Sequence, residues 1–149
     1  MASDFKGYID DVKFNVRAGV IMKYKDTVLV EISRAGENSV IPGGRVKINE
    51  YSRDALKREI KEEMNIDLKD NQLSFKAMIE NLFNSEGIDY HELFFVYEYR
   101  LNDDDYEMFK NVGNNKDNVK TWFEFVPATE EELTKVDLLP EELFDYIIE

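Results

Sequence analysis

Two β-branched blocks open the chain, FNVRAGVIMKY and TVLVEIS, separated only by Lys25 and Asp26, and this pattern predicts a hairpin. A second pair, SFKAMIENLF and YHELFFVYEYRL, flanks a turn at Gly87, and VKTWFEFVP reads as a later strand ended by Pro127. Between the pairs the period changes. Ala55, Leu56, Ile60 and Met64 recur at helical spacing, which predicts an amphipathic helix from about Ser52. Thr129 and Glu132 have capping-box spacing, and Pro140 is expected in the first turn of a last helix, so two terminal helices should follow the final strand. NSEGID at 84–89 and NVGNNKDN at 111–118 are rich in turn formers and are expected as loops. Strands, helix, strands, helices is the order of an α/β fold, a mixed sheet with helices packed on both faces.

Composition narrows the chemistry. The chain has 149 residues, 43% of them hydrophobic, which fits a single domain over 1–149 with one core. No apolar run approaches the roughly 20 residues of a membrane span, and the acidic start MASDFKGYIDD lacks the pattern of a signal peptide, so a cytoplasmic protein without membrane contact is expected. The absence of cysteine excludes disulfides, zinc–thiolate sites, iron–sulfur clusters and a thiol nucleophile, and one histidine excludes a His-rich metal site. A net charge of −13 repels nucleic-acid phosphate, and no basic stripe offsets it, so no nucleic-acid partner is expected. An anionic substrate would need an intervening cation.

Such a cation has a candidate position. Glu59, Glu62 and Glu63 stand at i, i+3 and i+4, so three carboxylates share one flank of the helix. The helix alone also fits a solvated face, because Lys57, Arg58 and Lys61 offer ion pairs. The preceding loop separates the two readings. Gly44, five residues, Glu50, seven residues, Arg58-Glu59-Ile60, one residue, then Glu62-Glu63 and aliphatic Ile66 form a pattern that resembles the signature of the Nudix hydrolase family. The similarity extends to the preceding hairpin, to Pro42 before the glycines, to YHELFFVYEY and to WFEFVPATEEELTKVDLLPE.

This resemblance implies an α/β/α sandwich and hydrolysis of the diphosphate linkage of a nucleoside diphosphate derivative, such as a nucleoside triphosphate, ADP-ribose or another sugar nucleotide. It implies Mg²⁺ or Mn²⁺ as cofactor, with Glu59, Glu62, Glu63 and Gly43 at the metal and Arg58 completing the catalytic group. Glu50 and Gly44 take supporting positions, Glu50 as the ion-pair partner of Arg58. The partner expected is a small-molecule nucleotide, and a homodimer is compatible with the pattern. A nucleotide-binding sensor that does not cleave and an RNA 5′-end pyrophosphohydrolase are the alternatives.

Two positions depart from the family pattern. Asn65 replaces a glycine that would end the helix in a left-handed conformation, which asparagine tolerates best after glycine. Ser39 replaces an aromatic residue, which removes base stacking from that position. Outside the signature, Arg17 and Arg34 are candidates for phosphate contact. Glu92 and Glu98 are both candidates for an extra carboxylate, because alternation puts them on one face of their strand. His91 is a weaker candidate on the same strand.

Overall fold

A computed structural model describes residues 2–149. Strands β1 (Lys6–Ile9), β2 (Val12–Ile21), β5 (Gly43–Arg45), β6 (Leu73–Ser85) and β7 (Ile88–Tyr99) form a five-stranded mixed sheet. Its central pairing is parallel, β2 beside β7, while β1, β5 and β6 run antiparallel to their neighbours. A second, antiparallel sheet holds β3 (Lys23–Tyr24), β4 (Thr27–Ser33) and β8 (Thr121–Pro127).

The two faces of the large sheet explain its layers. Val16, Ala18 and Val20 point to one face and pack with Ala55, Leu56, Ile60 and Met64 of helix α1 (Ser52–Met64). Ile21, Ile79, Phe94 and Val96 join the other core, with Leu133 of α3 (Glu130–Lys135) and Leu143 and Ile147 of α4 (Leu143–Ile148). Alternation along β4 divides its residues between the cores, Leu29 to the first and Val28 and Val30 to the second. Helices therefore cover both faces, as expected.

Three departures have local causes. The first hairpin is only two rungs long, Lys23–Tyr24 on Thr27–Val28, because β2 spends one edge on β1 and β5 and the other on β7. The chain changes sheets at Met22, and β4 pairs with β8 instead. Pro140 does not open the last helix. It precedes Leu143 by three residues and accepts the Leu143 N–H in a turn. A helix absent from the expectations, α2 (Asp103–Lys110), is started by a reciprocal capping box in which Asn102 and Asp105 each bond the other's backbone N–H. At Thr129 only half of the expected box forms, the hydroxyl accepting from the Glu132 N–H.

Helix α1 ends as the sequence requires: Asn65 is left-handed at φ 57°, ψ 37° and donates its N–H to the Lys61 carbonyl. Asn65→Gly should therefore leave stability unchanged or raise it by up to about 1 kcal/mol, whereas Asn65→Val should lose about 1–2 kcal/mol. Urea unfolding of both variants checks this, and equal losses would show that the left-handed cap is not what Asn65 provides.

Candidate active site

The site begins with a close approach of backbone to backbone. Gly43 and Gly44 lie on β5 beside Gly19 and Ala18 of β2. A Cβ on Gly43 would stand 2.1 Å from the Ala18 carbonyl oxygen, and one on Gly44 would stand 2.3 Å from the Glu59 carboxyl carbon. Only glycine fits at Gly43, where φ is +155° and the obstacle is backbone, while at Gly44 a side chain would have to displace the acid that the signature places there.

Arg58 joins this loop to the helix. Its Nε and Nη2 donate to the two oxygens of Glu50 at 2.9 and 3.0 Å, Nη2 also reaches the Arg45 carbonyl at 3.1 Å, and Nη1 reaches Glu59 Oε1 at 2.9 Å. Glu50 Oε1 in turn accepts the Lys47 N–H at 3.0 Å. The Arg58 and Glu50 side chains are 22% and 19% exposed, so this is a semi-buried bidentate clamp rather than a solvated surface pair. Arg58 holds the Glu50 carboxyl below its usual range, against the opposing effect of burial, and the Arg58 pKa rises in return.

The three helix glutamates are not equivalent. At roughly 100° per residue, Glu59 and Glu63 are about 40° apart on the core-facing side, while Glu62 lies about 100° from Glu63 toward solvent. Glu63 is 7% exposed, and its Oε1 is buried without a hydrogen-bond partner. The Glu62 side chain is 43% exposed and lies 3.5 Å from Arg58 Nη1. Burial pushes the Glu63 carboxyl up to about 10, helped by the charge of Glu31 and by contact with Glu59, and Arg17 acts in the opposite direction.

Glu59 and Glu63 line a cavity of about 440 Å³ together with Gly43, Gly44, Arg17 and Glu31. Glu31 was not singled out in the sequence. Its Oε2 accepts from Asn115 Nδ2 at 2.9 Å and Thr121 Oγ1 at 2.7 Å, which hold it at the cavity wall. The available signal was a lone acid in the otherwise aliphatic strand TVLVEIS; Asn115 lies in a loop with no motif to mark it.

The remaining candidates separate. Arg17 lines this cavity and a second one beside it, and its guanidinium lies 5.7 Å from the Phe94 ring centre. Arg34 lies over the Trp122 ring and donates to Asn114 at 2.8 Å, lining neither cavity. Glu92 is buried and lines the second cavity. Glu98, about 20 Å further along an extended strand, lies 3.8 Å from Lys76 and lines neither. His91 lies 3.3 Å from Glu80, also outside both.

Hard carboxylate oxygens, one of them buried and partnerless, are donors suited to Mg²⁺ or Mn²⁺. Among the described residues no three Asp, Glu, His or Cys side chains form a ready-made cage. Among the described residues no helix is long and apolar enough to cross a membrane.

The NUDIX domain model matches residues 13–146. No curated protein matches the chain. Among solved structures, a mutator MutT protein from Bacillus halodurans superposes with a TM-score of 0.65 at 18% identity, covering 91% of this chain and 80% of its own. A MutT NUDIX hydrolase from Burkholderia pseudomallei gives 0.58 at 16%, covering 85% and 98%. The Caenorhabditis elegans Ap4A hydrolase, in a binary complex, gives 0.57 at 16%, covering 91% and 92%.

The environment of Glu63 has a consequence for stability. Between about 4.5, its ordinary value, and about 10, the carboxyl is protonated in the fold and ionised in the unfolded chain, so its contribution becomes less favourable as pH rises. Metal-free Glu63→Gln should accordingly be more stable than the parent at pH 8, by about 1–3 kcal/mol, with the advantage shrinking toward pH 4.5. Urea titrations at both pH values decide the matter, and a variant less stable at pH 8 would contradict this account of the site.

Proposed function

Because the chain belongs to the Nudix family, we propose that it is a divalent-metal-dependent hydrolase that cleaves the diphosphate linkage of a small nucleoside diphosphate derivative. The observation that carries the reading is Glu63, buried with a partnerless oxygen beside Glu59 and lining one cavity with Gly43 and Gly44. Leaving a buried carboxyl oxygen without a partner is costly, which favours a ligand at that oxygen. A cation bound there removes the cost and gives an anionic substrate a reason to approach a chain of net charge −13.

Glu59, Glu63 and the Gly43 backbone would hold Mg²⁺ or Mn²⁺, and Glu62 can join them by leaving Arg58. When bound, the cation neutralises phosphate charge and acidifies water. The protein residues supply the rest. Arg58, fixed by Glu50, holds one oxygen of Glu59 and leaves the other, Oε2, against Gly44. Glu59 is thus oriented either to ligate or to take a proton from the attacking water. Arg17, at the junction of the two cavities, is placed to grip a phosphate oxygen. The water oxygen attacks one phosphorus, the bridging P–O bond breaks, and two phosphate-terminated products leave. The acidic surface favours a small nucleotide over an RNA end.

Activity should vanish in excess EDTA and return with Mg²⁺ or Mn²⁺, with products identified by phosphorus NMR; full turnover in EDTA would exclude the reading. Within the site, Glu63→Gln should lower kcat about 100-fold or more, because it removes a ligand, while Glu50→Gln keeps a hydrogen bond to Arg58 and should lose roughly 10- to 100-fold. Single-variant kinetics at saturating substrate and metal make the comparison, and a reversed order would overturn these roles.

A further inference from the structure

The second cavity, of about 490 Å³, opens beside the carboxylate site and shares Arg17 with it. A nucleotide whose diphosphate lies in the first cavity can therefore place its base in the second without leaving the guanidinium that joins them. Resting on the reading of the first cavity as a diphosphate-cleaving site, we propose that the second binds a guanine base, and that Glu92 and Asn81 read its hydrogen-bonding edge.

Glu92 is 8% exposed, and among the described residues its carboxylate has one hydrogen bond, a long contact of 3.4 Å from Asn81 Nδ2. An ionised carboxylate can accept about four hydrogen bonds, so most of its capacity is unspent at the wall of a cavity. A buried carboxylate at a cavity wall with a single long hydrogen bond calls for a donor-rich ligand, since its accepting capacity is otherwise left unpaired.

Shape and charge narrow the ligand further. Phe83 offers an aromatic wall, and Leu139 and Pro140 offer an aliphatic one, both suited to a flat ring. Glu141 and Glu142 also line the cavity, and among the described residues Arg17 is its only cationic lining residue. A second phosphorylated group is therefore disfavoured there, and a neutral heterocycle is favoured.

Among the bases, guanine matches this edge. Its N1–H and exocyclic N2–H₂ are adjacent donors that can meet the two oxygens of one carboxylate, and its O6 is an acceptor for an Asn81 N–H. Adenine and cytosine would turn a ring-nitrogen acceptor toward the carboxylate, and uracil has one donor between two acceptors. Hypoxanthine keeps N1–H and O6 and lacks only the amino group, which makes it the informative control.

The test is calorimetric binding of GMP, IMP and AMP to the full chain, with and without Mg²⁺, for the parent and Glu92→Gln. The parent should bind GMP at least about 10-fold more tightly than IMP or AMP, and Glu92→Gln should lose about 10-fold for GMP while changing AMP little. Equal affinities for GMP and AMP, or an unchanged GMP affinity in a variant that melts like the parent, would overturn the proposal. If the variant fails to fold, the ranking of the three nucleotides by the parent decides alone. Equal kcat/KM for nucleotides of all four bases would sink the guanine assignment and leave the hydrolase standing. Selective GMP binding without cleavage of any diphosphate would do the reverse.

Discussion

The bidentate clamp between Arg58 and Glu50 is the interaction on which the rest of the site depends. Each partner comes from a different element, Glu50 from the loop after β5 and Arg58 from the second turn of α1, so the clamp fixes the glycine backbone relative to the helix. The same guanidinium reaches Glu59 and stands beside Glu62. One arginine thus contacts three acids and does not reach the fourth, Glu63, whose nearest opposing charge is Arg17 across the cavity. The acid outside its reach is the buried residue that faces the cavity.

The fold serves this arrangement through β2. Its residues 17–19 pair with β5 on one edge and with β7 on the other, so one strand carries both the floor of the glycine loop and Arg17. The same pairing aligns Asn15 with Glu92. The carboxylate cavity and its neighbour consequently meet at one strand of the large sheet, where Arg17 lines both.

The sequence was most informative where side-chain spacing is local. Helix α1, its left-handed Asn65 end and the Glu50–Arg58 pairing could all be read from offsets within about four turns. The fate of the first hairpin could not, because it depends on which distant strands occupy the edges of β2. Glu31 escaped notice for the same reason. Its partners Asn115 and Thr121 are more than 80 residues away, and only the fold brings them to it. Alternation made Glu92 and Glu98 equivalent, and they separated only when the length of β7 placed one beside Arg17 and the other beside Lys76. Glu62, grouped with its neighbours by spacing, proved distinct once the core-facing side of the helix was known.

We propose Glu63, buried with a partnerless oxygen, as the place where a cation binds. Anomalous diffraction from a crystal soaked in Mn²⁺ tests it without reference to turnover. A peak is expected in direct contact with the Glu63 carboxylate, on the Glu59 and Gly43 side of the helix, that disappears in Glu63→Gln. A Mn²⁺ peak held only by exposed Glu62, or one that persists unchanged in the variant, would contradict it.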